Sequence, residues 1–403
     1  MRRLGRALGA SAVAGWLGAL LLTILGPSCG HQYFLNGSEA SPSSSSSATS
    51  SAGPTSSTSP TATPTAGLVF ATNHADGTLS EFSRDFTSGA LSLMGTTAVG
   101  AALGPTGLAL SSSNGFLYVA NSADHVIREF SVDTATGALA AVGSVSDGLG
   151  SSPQRIAIDR SGKFLYVTDG IGATISQYTV ASDGTLTFNG AFSDLGVVVR
   201  PIGIAPAPGG GAMYAADFGS GLVISLSIQP GGALALVNSV ASLGPSGTGQ
   251  PRGIVVDPTG AFVYVTDSAG GVVSVFSVNS GNALTFLASY STAAPTHQTF
   301  DLALANNPAT LFLYATNGLI NTVSDFVVNT GALSLTSAAG GLTAPQGIVS
   351  DPNGDFVYVA NNGTGQVRGY AVGAAGALTA IGTFDTESPA NPASQPVFLA
   401  ITQ

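Results

Sequence analysis

From about residue 68 to the end, the apolar and polar positions of the chain repeat one pattern seven times. A short apolar run ends in an aromatic residue, and Asn or Asp follows three positions later. The pairs are Phe70 and Asn73, Tyr118 and Asn121, Tyr166 and Asp169, Tyr214 and Asp217, Tyr264 and Asp267, Tyr314 and Asn317, and Tyr358 and Asn361. Twelve residues after each aromatic comes a second large apolar residue: Phe82, Phe130, Tyr178, Leu226, Phe276, Phe326 and Tyr370. A turn and a leucine follow, from Leu91 in the first copy to Leu378 in the last. The aromatics are 48, 48, 48, 50, 50 and 44 residues apart. A period of that length, with several strands in each unit, predicts a propeller.

Residues 251–287 display the unit most clearly. Gly253 to Val256 is short, β-branched and apolar throughout, the mark of a strand buried on both faces. Asp257-Pro258-Thr259-Gly260 is a turn, since Pro presets φ and Gly accepts positive φ. Ala261 to Thr266 forms a second strand. Val272 to Val278 alternates Ser with apolar residues and forms a half-buried third. A fourth runs from Ala283 to Ala288. Four antiparallel strands make one blade. The first strand carries small residues in register (Gly107, Gly203, Gly253 and Gly347), which suits the narrow, channel-lining position.

The first copy begins at Leu68 with a second strand, and the chain ends with Pro396 to Thr402, a first strand with nothing after it. Together they complete one blade. The fold class is therefore all-β: a seven-bladed β-propeller of four-stranded antiparallel blades, its ring closed by the C-terminal strand.

Composition sets the rest of the layout. Arg2, Arg3 and Arg6 precede an apolar run from Ala7 to Leu25, so residues 1–28 read as a signal peptide. The lone cysteine, Cys29, directly follows and suits lipidation of a lipoprotein; ordinary cleavage nearby and an uncleaved anchor are the other readings. Residues 29–67 are a linker, rich in Ser, Thr and Pro from about residue 37, whose composition predicts a disordered tether reaching roughly 30–35 Å. Residues 68–403 are the propeller. After the signal segment, 21 acidic residues stand against 8 basic ones, a net charge near −13. That balance argues against nucleic acid, and against membrane attachment other than through the N-terminal anchor.

The runs 116–121 (FLYVAN), 164–169 (FLYVTD), 262–267 (FVYVTD) and 356–361 (FVYVAN) resemble the repeat of the YVTN/lactonase superfamily of seven-bladed propellers. The Asp-Pro-x-Gly turns and Gly-Ala-Leu steps resemble the branch named for 6-phosphogluconolactonase. The resemblance implies the fold over the whole repeat region. Lactonases of this kind carry a His beside the Pro that leads into an inner strand and a Glu in the channel. Here no such Pro is followed by His, and no Glu falls on an inner strand; Glu81 and Glu129 lie on third strands. No catalytic residue carries over.

Candidate chemistry gathers where the loops lead into the inner strands. These place Thr106, Gln154, Ile202, Arg252, Phe300, Gln346 and Val397 around the channel mouth, with Arg155 and Asp301 one residue further on. His74 and His125 fall on the same face, farther out. Two guanidiniums, Arg155 and Arg252, can hold a carboxylate or phosphate, or each can pair with an acid such as Asp301 or Asp169. His297 is a general base oriented by Asp301, or a polar residue of an inserted loop. Gln154 and Gln346 complete the set of ligand-binding candidates. The seven Asn/Asp residues read as turn caps rather than a metal ring. No metal or cofactor motif is present. The expectation is a monomeric, exported, lipid-anchored or periplasmic propeller that binds a small anionic or carbohydrate ligand, or scaffolds an envelope protein. The alternative is a lactone hydrolase acting on a sugar lactone.

Overall fold

The computed structural model of the chain describes residues 66–100, 104–146, 152–194, 196–247, 249–293, 298–307, 310–387 and 393–402. Residues 1–28, read as a signal peptide, Cys29, the linker up to residue 65 and His297 lie outside the described residues, while Ala66 and Gly67, the last two residues assigned to the linker, open the first strand. No helix among the described residues is long and apolar enough to cross a membrane.

Seven four-stranded antiparallel sheets form the ring. Blade 1 takes its inner strand, Pro396–Ile401, from the C-terminus and pairs it with Ala66–Asn73, followed by Thr78–Asp85 and Leu91–Ala98. The inner strands of blades 2 to 7 are Pro105–Leu110, Pro153–Ile158, Pro201–Pro206, Pro251–Val256, Thr299–Asn307 and Pro345–Ser350. Successive inner strands lie side by side, that of blade 7 against that of blade 1. The predicted closure is therefore the observed one.

The core lies between blades. Phe82 and Leu91 of blade 1, for example, share one apolar cluster with Tyr358 and Val367 of blade 7. The conserved shape of the repeat explains how such seams are sewn. Each aromatic of the pattern sits fully buried on a second strand. In four of the blades its hydroxyl reaches the turn between the third and outer strands of the next blade. Tyr118 donates to Gly184 O at 3.0 Å, Tyr166 to Gly232 O at 2.9 Å, Tyr314 to Gly376 O at 2.7 Å and Tyr358 to Gly89 O at 2.7 Å.

In blades 3, 5 and 6 the threonine two positions later sews the inner end. A register shift after the first strand residue (Pro153, Pro251 or Thr299) leaves an inner-strand N–H without a backbone partner in the ladder. Thr168, Thr266 and Thr316 accept those N–H groups, from Arg155, Gly253 and Asp301. Their hydroxyls donate onward to the next blade, to Ile202 O, Phe300 O and Gln346 O. One oxygen thus repairs a bulge and joins two blades.

The inner-strand glycines are needed for close approach. A Cβ on Gly203 would lie 2.1 Å from Arg252 O, and one on Gly107 would lie 2.4 Å from Gln154 O. The wedge predicted from small residues is real, and its limit is the backbone of the following blade.

The outer edges are blunted as well. In every blade the third and outer strands slip register at one equivalent point, as between Glu81 and Phe82 and between Gly369 and Tyr370. A bulge there twists the edge and disfavours pairing with another chain. At the seam between blades 7 and 1 the sequence reading missed a buried ion pair: Arg84 Nη1 lies 3.1 Å from Asp351 Oδ2.

Deleting residues 396–403 removes an inner strand and exposes the edge of Ala66–Asn73. The truncated protein is expected to lose cooperative thermal unfolding or to aggregate, as read by calorimetry and light scattering. An unfolding transition matching that of the full chain would contradict this topology.

Candidate functional site

The loops leading into the inner strands and the turns after the second strands share one face, the mouth. Its shape is set by the Asn and Asp residues of the repeat. Asp217 accepts backbone N–H groups from Val199 and Arg200 in the lead-in loop and from Gly219 and Ser220 in the turn. Asp267 does the same for Gln250, Ala269 and Gly270, and Asp169 for Ser152, Ile171 and Gly172. The structural reading of these side chains holds. Each of these three Asp residues clamps its lead-in loop to the neighbouring turn and so positions whatever those loops carry, whereas Asn73 and Asn317 bond Thr and Ser side chains of the following strand. Among the described residues no group of three His, Cys, Asp or Glu side chains is placed to hold a metal.

One residue inside the mouth, four blades carry glycine (Gly107, Gly203, Gly253, Gly347) and three carry Arg155, Asp301 and Phe398. The last three fill the room the glycines leave. Arg155 Nη2 lies 2.9 Å from Asp301 Oδ1. These residues belong to blades 3 and 6, which face each other across a seven-membered ring. The ion pair therefore spans the channel. Phe398, on the closing strand of blade 1, lies beneath the Arg155 guanidinium, 3.8 Å from its Cζ to the ring centroid. Of the two arrangements the sequence left open for Arg155, the geometry shows the acid pair, with Asp301. Arg155, Asp301 and Phe398 are the floor of the mouth.

Above that floor, Arg252 projects between two aromatic rings, 4.7 Å from the Phe218 centroid and 5.0 Å from that of Phe300. Its Nε donates to Ser268 Oγ at 3.3 Å. Arg200 lies over the same Phe218 ring at 5.0 Å. Two cations thus converge on one aromatic ring, a contact worth about 0.5–1 kcal/mol each at exposed sites. Gln154 Nε2 donates to Ser152 Oγ at 2.9 Å, which turns this candidate into part of its own loop. Gln346 is half-buried at the mouth and accepts Thr316 Oγ1 on its backbone carbonyl. The structure therefore brings Arg155 to Asp301, and groups Arg252 with two residues that sequence reasoning did not single out, Arg200 and Phe218. Arg200 escaped notice because it precedes the leading Pro201, whereas only positions after that Pro were counted.

Over blade 1 the mouth face is acidic. Asp76, in the turn after the second strand, is pushed up to about 7 by burial, together with a hydrogen bond and charge repulsion from Glu387. Thr78 Oγ1 donates to both carboxyls, at 3.4 Å to Asp76 Oδ1 and 3.3 Å to Glu387 Oε1. His74 Nδ1 lies 3.3 Å from Pro105 O.

Perturbed carboxyls also occur away from the mouth. Burial raises Glu81, Glu129 and Asp325, all on third strands. Perturbation of this kind often marks active sites, but here the partners are structural. Glu129 Oε1 accepts the N–H of Leu186, the first residue of the next blade's outer strand. Gln177 performs the same service for Leu234, and Asp325 accepts the backbone N–H of Leu378.

With the geometry in hand, likeness to known proteins takes on meaning. Residues 63–391 match the family model "Lactonase, 7-bladed beta-propeller". The chain belongs to that family. A putative 6-phosphogluconolactonase from Bacteroides uniformis superposes on this lactonase-family propeller with a TM-score of 0.73 at 19% identity, over 84% of this chain and 99% of its own. The periplasmic gluconolactonase of Pseudomonas aeruginosa superposes at 0.70 and 19% identity, again over 84% and 99%. At such identities the likeness shows the fold. No curated protein matches the chain in sequence.

The buried carboxyl of Asp325, pushed up to about 6 chiefly by desolvation, makes stability depend on pH. Between the ordinary carboxylate range and pH 6 the folded state keeps a proton that the unfolded chain releases. Its contribution is fully present at low pH and is lost as pH rises through the folded value. Asp325→Asn keeps the acceptor without the charge. It is expected to raise stability above pH 7 by on the order of 2 kcal/mol and to leave it unchanged near pH 3–4. Melting temperatures of both proteins across pH 4–8 check this.

Proposed function

We propose that this propeller is an exported lactone hydrolase that takes its substrate at the mouth, with Arg252 as the group that holds the carbonyl oxygen. Membership of the lactonase family supports the reaction class. The observation that carries the site is the placement of Arg252 at the mouth, fixed by two rings and a hydroxyl. A guanidinium so held needs no reorganisation to stabilise negative charge. Hydrolysis adds water to the lactone carbonyl carbon and develops charge on its oxygen. It then breaks the ring C–O bond and leaves a hydroxy acid, whose carboxylate suits the same cation.

The base that activates water must come from the mouth or its loops. Asp301 and His297 are the two candidates in reach of this reading. Asp301 serves once the Arg155 pair opens; His297 precedes it by four positions in the sequence. A sugar lactone, with the corresponding aldonate as product, is the first substrate class to try. A binding role without chemistry is the second reading, either for a small anionic or carbohydrate ligand or as a scaffold for an envelope protein. One observation favours it: Asp301 is committed to Arg155, and no Glu stands on an inner strand.

Glucono-δ-lactone and related sugar lactones provide the assay. Arg252→Ala is expected to lower kcat/KM by about 10²-fold or more with little change in melting temperature. Hydrolysis that survives Arg252→Ala would remove Arg252 from the reaction. No turnover of any lactone, with binding of the acids retained, would favour the second reading.

Export and anchoring belong to the same proposal and rest on the N-terminal sequence. With Cys29 lipidated, Cys29→Ala is expected to move the protein from the membrane fraction to the soluble fraction. Unchanged fractionation would show that the thiol is not the anchor.

A further inference from the structure

The mouth is chemically lopsided. Contacts trace one continuous arc across blades 3 to 6. It starts at Ile171, which is 76% exposed at the tip of a turn. The adjoining Gly170 lies against the stem of Arg200, with 3.8 Å between its ideal Cβ and Arg200 Cγ. Val199 and Arg200 both pack over Gly219, beside Phe218. Arg252 then bridges Phe218 and Phe300, and Phe300 packs on Gly318, next to the exposed Leu319 and Ile320. Over blade 1, by contrast, the face presents Asp76 and Glu387.

Isolated exposed aliphatic residues are ordinary on protein surfaces. Here they flank two guanidiniums in sequence around the mouth, in a domain whose net charge is strongly negative. Contiguous apolar surface rimmed by polar groups marks interaction sites. Among the described residues, Arg155 meets Asp301 and Phe398 across the channel. A molecule bound above them lies across the mouth, with an anionic or carbonyl head on the arginines and its remainder on the aliphatic side chains.

We propose that the arc recognises a single-chain amphiphilic anion, a hydroxy acid or its lactone bearing an alkyl chain. The head group sits at Arg252 and Arg200, and the chain runs over Val199 and Ile171. Arg200 fixes that direction, because its stem joins the cationic centre to the Ile171 flank without a gap. The inference deepens the proposed function by naming a substrate class, and it rests on the mouth being the ligand face. It does not need turnover. The acidic side over blade 1 supplies orientation, since it repels a carboxylate placed there.

Binding of 4-hydroxybutyrate, 4-hydroxyoctanoate, 4-hydroxydodecanoate and gluconate to the full-length protein tests this by calorimetry. Affinity is expected to rise by about twofold or more per added CH₂, with gluconate weaker than 4-hydroxydodecanoate. Ile171→Ser combined with Val199→Ser is expected to flatten the dependence on chain length. Arg200→Ala combined with Arg252→Ala is expected to weaken all the alkyl acids by similar factors. Leu335→Ser, exposed on an outer strand far from the mouth, serves as the control and is expected to change nothing. A flat series, tighter binding of gluconate, or an equal loss with Leu335→Ser would overturn the proposal. So would sedimentation with phosphatidylglycerol vesicles that depends on Ile171, which would make a lipid surface the partner. Failure of lactone hydrolysis with an intact chain-length dependence would leave this proposal standing and remove the enzymatic one. Turnover of sugar lactones with a flat series would do the reverse.

Discussion

No blade of this propeller satisfies its own hydrogen bonding or buries its own apolar face. The decisive interactions run from one blade to the next: a tyrosine hydroxyl to a turn carbonyl, a threonine hydroxyl to an inner-strand carbonyl, a third-strand side chain to the first N–H of an outer strand. Each of these groups is buried, so each would cost roughly 1–3 kcal/mol if left without a partner. That requirement dictates neighbours on both sides of every blade, and only a closed ring provides them. The C-terminal strand is the means of closure. The buried Arg84–Asp351 pair and the Tyr358 hydroxyl fasten the seam where the two ends of the domain meet.

The same stitching produces the mouth. The Asp residues that cap the second-strand turns also hold the lead-in loops, so backbone geometry at the mouth is fixed before any side chain is chosen. On that frame blades 1, 3 and 6 place three large residues near the axis, and these meet across the channel. The proposed ligand face therefore lies above them. Its chemistry varies from blade to blade, cationic and aromatic on one side and acidic on the other. This is consistent with a family in which fold is widely shared and the site must be argued separately.

The fold was legible in the sequence almost to the residue, because the period of the pattern and the stranded ends each allow one answer. The unit read from 251–287 appears as strands at Pro251–Val256, Phe262–Asp267, Val272–Val278 and Leu284–Ser291. The site was legible in part. Arg155, Arg252 and Asp301 were found by position in the repeat. Which of them would meet was not, because partners across a channel are set by ring geometry and side-chain reach, neither of which has a local signal. Phe218 follows a cap residue and Phe398 lies within a terminal strand, and neither position carries a local mark of its partner across the mouth. The tyrosines read as core aromatics; that their hydroxyls cross to the next blade depends on a contact 62 to 66 residues away in sequence, and 269 at the seam.

The four inner-strand glycines imply that the ring has no slack. At Gly203, Gly107, Gly347 and Gly253 a single added carbon would lie within 2.1 to 2.8 Å of the next blade's backbone. In an open stack of sheets one such intrusion could be absorbed by tilting the last member. In a closed ring the extra width at one interface must be shared by all the others, so the circumference resists any local change. The axis therefore behaves as a fixed gauge. Chemical variety is pushed outward, to the turns and lead-in loops, where a side chain can be exchanged without asking the whole circle to expand.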